Sequence, residues 1–373
     1  MTDVTDASAA IPAGGYAEPF RAAAEGDGVR LADLTTLRVG GRAARYVVAG
    51  TTDAVIDAVS AADAAGRPVL LVGGGSNLLV GDDGFDGDVI RLATRGLDVE
   101  VSDACSGVTV RVAAGEPWDA VVTEAVGRGW SGIEALSGVP GSTGATPVQN
   151  VGAYGQEVAE TIARVRTWDR EQGRVATLAA ADCEFGYRNS RLKQERFRGG
   201  PRFVVLEVTF QLALADLSAP VRYTELARNL GVEPGGRAPL AEVRDAVLGL
   251  RRGKGMVLDD ADHDTWSAGS FFTNPILDGA AAAVLPEDSP RWPTADGRVK
   301  ASAAWLIEHA GFGRGYGLPG PASLSTKHTL ALTNRGDARA EDLLALARTV
   351  RDGVREAYGV TLVPEPVLVG CAL

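Results

Sequence analysis

Five stretches of this chain carry residues whose type and spacing suit chemistry. The first is Val72-Gly73-Gly74-Gly75-Ser76-Asn77, which follows the apolar run Val69-Leu70-Leu71. Three consecutive glycines let the backbone turn tightly and aim successive N–H groups at one point. That makes an anion nest suited to a diphosphate, and Ser76 and Asn77 add side-chain donors. No Gly-Lys-Ser/Thr follows and the spacing is not GxGxxG, so neither the P-loop nor the dinucleotide fingerprint applies. A plain glycine-rich turn between two strands accounts for these residues as well. The second stretch, Ser137-Gly138-Val139-Pro140-Gly141-Ser142-Thr143-Gly144-Ala145, continues through Gln149-Asn150-Val151-Gly152-Ala153-Tyr154-Gly155. Glycines among small polar residues imply close backbone approach to a partner, as a flat ring system with a phosphate tail would need. A mobile loop would carry more charge and fewer residues like Val139, Pro140, Val148 and Val151.

The third stretch is Cys183-Glu184-Phe185-Gly186-Tyr187-Arg188-Asn189-Ser190. A permanently charged guanidinium at Arg188 can stabilise a developing enolate or clamp a carboxylate, although Tyr187-Arg188 alone also reads as a surface strand pair. The fourth is Trp266-Ser267-Ala268-Gly269-Ser270-Phe271-Phe272-Thr273-Asn274-Pro275. Ser270 is either an ordinary turn residue or a hydroxyl aimed into a dry site as a proton donor. It lacks the GxSxG setting of a hydrolase nucleophile, and His263, His309 and His328, the only histidines, show no triad partner. The fifth is Leu362-Val363-Pro364-Glu365-Pro366-Val367-Leu368-Val369-Gly370. A glutamate in an apolar strand must find a partner if it is buried; the flanking prolines equally suit an exposed edge.

The elements that hold these stretches alternate strand and helix. A strand over 44–48 leads to a helix capped by Thr52, with Val55, Ile56, Val59 and Ala62 on one face and Gly66 and Pro68 as stops. Strands over Val69–Val72 and Val89–Leu92 complete a small α+β unit. From about residue 97 the pattern alternates, as in Val108-Thr109-Val110-Arg111-Val112, a half-buried strand. A helix follows Pro117, with Trp118, Val121, Val122 and Ala125 at helical spacing. Strands are expected over 163–169 and 202–212, and helices over 240–252, 301–310 and 341–358. Leu343, Ala347, Val350 and Val354 form the stripe of the last helix, and a terminal strand is expected over Val360–Val369.

At 373 residues the chain should divide into two or three domains. Residues 1–28, rich in Ala, Gly, Asp and Pro, read as a flexible leader, and Lys254-Gly255-Met256 as a boundary. The formal charge of −11 argues against nucleic-acid binding, yet leaves room for a local basic pocket. Three scattered cysteines fit neither a disulfide framework nor a metal site and suit a reducing cytoplasm. No run of apolar residues is long enough to span a membrane, and no secretory signal is visible.

GGGSN followed by SGVPGSTGATPVQNVGAYGQE resembles the FAD-binding half of the UDP-N-acetylenolpyruvoylglucosamine reductase family, within the flavoproteins of the vanillyl-alcohol oxidase type. The resemblance spans about residues 34–373. It implies an α+β fold with a two-part FAD-binding module, 29–96 (joined by the C-terminal 364–373) and 97–253, and a C-terminal substrate-binding domain, 254–363. It implies non-covalent FAD, which suits loops that contain no histidine. The diphosphate would lie on Gly73, Gly74, Gly75, Ser76 and Asn77. The ring system would lie near Ser137, Gly138, Pro140, Gly141, Ser142, Gly144, Asn150, Gly152 and Ala153. By the same resemblance Arg188 and Glu365 are catalytic, and Ser270 in the matching AGSFF segment protonates the substrate. Tyr187, Asn274, Lys254 and Tyr223 contact substrate, Tyr223 in Pro220-Val221-Arg222-Tyr223-Thr224-Glu225-Leu226 as the clamp of one branch. Pro366 departs from the family's aliphatic residue, and His328 stands where relatives carry glutamine. The implied reaction moves hydride from NADPH through FAD to an enolpyruvyl UDP-sugar, in a monomer. Two other readings remain at this stage: a flavin oxidoreductase of the same fold acting on an alcohol, sugar or lactone, and a non-catalytic nucleotide-binding protein.

Overall fold

The computed structural model describes residues 26–103 and 105–373. The expected leader therefore lies outside the described residues except for 26–28. There Gly26 and Gly28 pair with Tyr46 and Ala43.

The chain enters a parallel sheet whose strands lie in the order Ala43–Ala49, Phe85–Leu92, Val69–Val72. Short apolar strands joined by a helical crossover favour this arrangement, because the crossover covers a face that would otherwise meet water. The crossover helix is Thr52–Ala64. Thr51 rather than Thr52 caps it, accepting a bond from the Ala54 N–H at 3.1 Å. Val55, Val59 and Ala62 are its buried stripe. After Val72 the glycine-rich turn delivers the chain into Leu78–Val80, which pairs in parallel with Val367–Val369. That pairing brings the chain terminus against the turn.

The expected continuous strand over Val360–Val369 is not formed; only Val367–Val369 is strand. Pro364 and Pro366 have no N–H to give to a ladder. The segment is instead tied to the AGSFF stretch, Glu365 N–H donating to the Phe271 carbonyl at 2.8 Å and Thr273 N–H to that of Val363 at 3.0 Å.

The second layer is antiparallel, in the order Arg174–Ala179, Ile162–Asp169, Phe203–Leu214, Gly107–Ala113, Leu97–Asp103. Along Gly107–Ala113 the side chains alternate, with Val108, Val110 and Val112 buried. Helix Trp118–Gly127 lays Trp118, Val121, Val122 and Ala125 onto this sheet. Phe203–Leu214 serves two cores at once. Val204 and Leu206 pack with the parallel sheet and its helix, whereas Val205, Val208 and Phe210 face the antiparallel core. Arg170, its side chain fully buried, reinforces the joint with a two-pronged bond to Asp63 of the crossover helix at 2.7 and 3.0 Å.

Helices Thr224–Leu230 and Leu240–Gly253 pack on each other, and Arg244 of the second grips Asp119 at 2.7 and 2.8 Å. The last third holds the small sheets Ile276–Leu277/Val299–Ala301/Arg291–Pro293 and Ala322–Leu324/Leu332–Asn334. Helix Ala303–His309 starts later than expected because Ala301 belongs to a strand and Ser302 caps the helix. Helix Ala340–Tyr358 buries Leu343, Ala347, Val350 and Val354 completely. Asp82, from the first unit, accepts from the N–H groups of Ala340 and Glu341 at 2.9 and 3.2 Å, which places a carboxylate at the positive end of that helix.

Candidate active site

The parallel sheet, the antiparallel sheet and the last third of the chain all contribute residues to one cavity of about 1410 Å³. Pockets for a single drug-sized ligand run to roughly 1,000 Å³, so this one has room for a dinucleotide and part of a second ligand. The GGGSN turn forms one wall. The N–H groups of Gly74, Gly75, Ser76 and Asn77 donate to no group among the described residues. Four adjacent unsatisfied donors at a strand end make a nest for an anion. The opposing loop comes close. A Cβ on Gly74 would sit 2.4 Å from the Gly141 Cα, and one on Gly73 would sit 2.2 Å from the Ser142 Oγ. The Ser76 hydroxyl donates to the Pro140 carbonyl at 3.1 Å and locks the two loops together. The Ser142 hydroxyl is buried with no partner among the described residues, so it is a further donor at the nest. This donor set fits a diphosphate-bearing cofactor.

Arg188 is held from three sides. Its Nη2 donates to the Gly152 carbonyl at 2.7 Å and its Nη1 to that of Asn150 at 3.4 Å, while Nε meets Glu365 Oε1 at 2.9 Å. Its backbone lies in the left-handed region, φ 53°. Such strain persists only where the surroundings enforce it. Glu365 is pinned through its backbone, which accepts from Asn77 Nδ2 at 3.3 Å; that amide also donates to Gln149 Oε1 at 2.7 Å. Burial raises the Glu365 carboxyl above its ordinary pKa, with Arg188 and Lys193 pulling against it. Thus the acid that pairs with Arg188 holds its proton more readily than an exposed glutamate. Ser270 lines the same cavity, next to the wholly buried Phe271 and Phe272, and its hydroxyl has no partner among the described residues.

Tyr187 and Asn274 are brought together: the Asn274 N–H donates to the Tyr187 hydroxyl at 3.2 Å, and burial raises the Tyr187 pKa. Asn274 Oδ1 accepts from the Ala303 N–H, a bond that orients it. Tyr223 is half exposed and meets Tyr154 edge to face at 5.4 Å. Lys254 is bonded to Glu225 at 2.6 Å. Burial alone would lower its pKa, but Glu225 reverses the sign. His328 also lines the cavity, where burial, reinforced by Lys254 and Arg314, brings its pKa down to about 4.

Of the residues singled out in the sequence, Gly73, Gly74, Gly75, Ser76, Asn77, Pro140, Gly141, Ser142, Gly144, Gly152, Ala153, Tyr187, Arg188, Tyr223, Lys254, Ser270, Asn274 and Glu365 all line the cavity. Ser137, Gly138 and Asn150 do not. The Ser137 hydroxyl donates to the Glu134 carbonyl, Gly138 is bonded to Asp119 and Arg251, and the Asn150 amide is spent on Glu157, Gly186 and Ala159. They support the loop from behind. Sequence reading missed Lys193, Lys300 and Gln149, which also face the cavity.

A family model for the FAD binding domain matches residues 43–179, and one for the UDP-N-acetylenolpyruvoylglucosamine reductase C-terminal domain matches residues 260–369. A UDP-N-acetylenolpyruvoylglucosamine reductase of Cutibacterium acnes is 57% identical over 350 residues, 93% of this chain and 91% of that protein. One from Saccharopolyspora erythraea is 58% identical over 360 residues, 93% of this chain and 96% of that protein. The crystal structure of UDP-N-acetylenolpyruvylglucosamine reductase from Thermus caldophilus, 27% identical, superposes with a TM-score of 0.62 over 91% of this chain and 97% of that one. With identity of this degree running through both the nest-bearing and the AGSFF-bearing parts, the chain belongs to the UDP-N-acetylenolpyruvoylglucosamine reductase family.

Proposed function

We propose that this chain reduces UDP-N-acetylenolpyruvoylglucosamine to UDP-N-acetylmuramate, with non-covalent FAD as the redox cofactor and NADPH as the hydride source. One observation carries the reading. A nest of four unsatisfied N–H groups, an Arg188–Glu365 pair and the unpartnered Ser270 hydroxyl all open onto a single cavity. In this reading residues 29–96 with 364–373, and residues 97–253, hold the cofactor, and 254–363 closes over the sugar nucleotide. Gly74 to Asn77 and Ser142 would hold the diphosphate, and bound FAD supplies a hydride carrier between the nicotinamide and the enolpyruvyl double bond.

The chain's own residues do the rest. Hydride addition at the vinyl carbon leaves negative charge on the neighbouring carbon and its carboxylate. Arg188, immobilised by two carbonyls, faces that charge without reorganising, which is the condition under which such stabilisation is largest. Glu365, held against Arg188 Nε at 2.9 Å, completes the pair that stabilises the enolate-like species. Ser270 delivers a proton to the neighbouring carbon, and the double bond is saturated. Tyr187 and Asn274 fix each other, and so set the substrate's orientation. Tyr223 and Lys254, which line the same cavity, would contact the sugar nucleotide.

We place the reaction in a monomer in the cytoplasm. Every residue given a role above comes from one chain, the cysteines are unpaired, and among the described residues no helix is long and apolar enough to cross a membrane. Steady-state assay tests the reading: NADPH oxidation should require the enolpyruvyl sugar nucleotide, and alcohols or free sugars should not replace it. Turnover with an alcohol or sugar in its place would overturn the substrate assignment.

A further inference from the structure

Lys193 sits on the turn that follows Arg188, its Nζ donating to the Arg188 carbonyl at 3.0 Å, and its side chain lines the cavity. The turn is itself anchored. The Ser190 hydroxyl donates to the Val148 carbonyl at 2.6 Å and accepts from the Lys193 N–H at 3.3 Å, and Leu192 alongside is fully buried. Lys193 forms no ion pair among the described residues. A partly buried ammonium without a carboxylate partner is costly, which points to a use for the charge. Resting on the reductase reading above, we propose that Lys193 is a positioning residue of the reductive step: it locks the left-handed backbone of Arg188 and adds a second positive charge beside Glu365.

Two features of the site follow. Arg188 is the only residue of the reactive group with φ in the left-handed region, and the bond from Lys193 closes on the carbonyl of that same residue. Second, Arg188 is matched by Glu365, which leaves Lys193 as the surplus positive charge against the negative charge that hydride addition develops on substrate. The charged groups facing Glu365 are Arg188 and Lys193; Glu157 is turned away to Asn150. Burial lowers the pKa of Lys193, and Glu365 counteracts that, so the two side chains sense each other.

The test compares the natural enzyme with Lys193→Met, Lys193→Gln and Lys193→Arg as FAD-loaded protein, with NADPH and the enolpyruvyl sugar nucleotide across the pH range. Lys193→Met should lose about 10–100-fold in kcat, the scale of a catalytic group displaced by a fraction of an ångström to one ångström, with KM nearly unchanged. The limb of the pH profile that reports Glu365 should move to higher pH, because one of its two stabilising cations is gone. Lys193→Arg should keep the limb in place and most of the rate. If Lys193→Met does not fold, Lys193→Gln is read by the same criteria. Natural kcat and an unmoved limb in the charge-free variant would overturn the proposal. Failure of the natural enzyme to turn over would instead overturn the reductase reading, so the two failures are distinguishable.

Discussion

Replacing Gly74 by alanine should strip the cofactor from the protein while leaving the fold in place. The added Cβ would lie 2.4 Å from the Cα of Gly141, 2.8 Å from its carbonyl carbon and 3.2 Å from its nitrogen. All three are backbone atoms, so no side chain can swing aside. Carbon atoms rest about 3.5 Å apart or more, and the two loops must therefore part by about 1.1 Å, the difference between 3.5 and 2.4. Overpacking of that kind costs about 1–3 kcal/mol of stability. The effect on the nest is larger. A bond to an anion is formed at roughly 2.7–2.9 Å and is lost beyond about 3.5 Å, so a shift of this size breaks those made by the displaced loop. Two such bonds at about 1.5–3 kcal/mol each amount to about 3–6 kcal/mol, or about 10²–10⁴-fold in affinity. The assay is the flavin-to-protein absorbance ratio after purification, followed by titration of the stripped protein with FAD. Gly249→Ala is the control. It lies in helix Leu240–Gly253, where an added Cβ meets nothing within 4 Å. It should raise stability by about 0.5–1 kcal/mol and leave the flavin ratio alone. A Gly74→Ala protein that purifies fully yellow and binds FAD with unchanged affinity would refute the steric argument and the location of the nest together.

Arg188→Ala should lower kcat by about 10²–10³-fold, the range for removing one preorganised charge-stabilising donor; steady-state kinetics would read it, and near-normal turnover would remove Arg188 from the mechanism. Ser270→Ala should lower turnover by about 10²–10⁴-fold yet leave the rate at which NADPH bleaches the flavin unchanged, since the hydroxyl acts only on the second substrate. Stopped-flow absorbance separates the two half-reactions. His328 is neutral in the folded protein, with a pKa of about 4 against an ordinary value near 6.5. Its contribution to stability is thus complete above the ordinary value and drains away as pH falls toward 4. His328→Gln, which cannot take up a proton, should flatten the acid side of the stability curve, measured as Tm at neutral pH and near pH 4.5. Equal loss of Tm in both proteins would mean His328 is not the group responsible.

Sequence and structure agree most closely where a physical period was long enough to read. Leu343, Ala347, Val350 and Val354 repeat at helical spacing and all reach the core, and Val108, Val110 and Val112 alternate into a sheet face. Disagreement concentrates where the outcome depends on a distant partner. Val360–Val369 looks like one strand, but Pro364 and Pro366 interrupt the ladder and only Val367–Val369 finds a neighbour, the strand Leu78–Val80. The glycine loops were legible as places of close approach. Which of their residues face the ligand was not, because Ser137, Gly138 and Asn150 turn toward Glu134, Asp119 and Glu157, partners set by tertiary packing. Lys193 stayed hidden for a like reason. A lysine among Arg191, Lys193 and Arg196 reads as solvated charge, and only the fold reveals that it turns inward to the Arg188 carbonyl.

In the proposed reaction the enolpyruvyl sugar nucleotide takes its hydride from FAD in the cavity that holds Arg188, Ser270 and Glu365. The most direct measurement is anaerobic. The purified protein is bleached with one equivalent of NADPH, the oxidised nicotinamide is removed, and UDP-N-acetylenolpyruvoylglucosamine is added while flavin absorbance is followed. The yellow colour should return within the turnover time, with one UDP-N-acetylmuramate formed per flavin. A flavin that stays bleached until oxygen is admitted would contradict the proposed reaction.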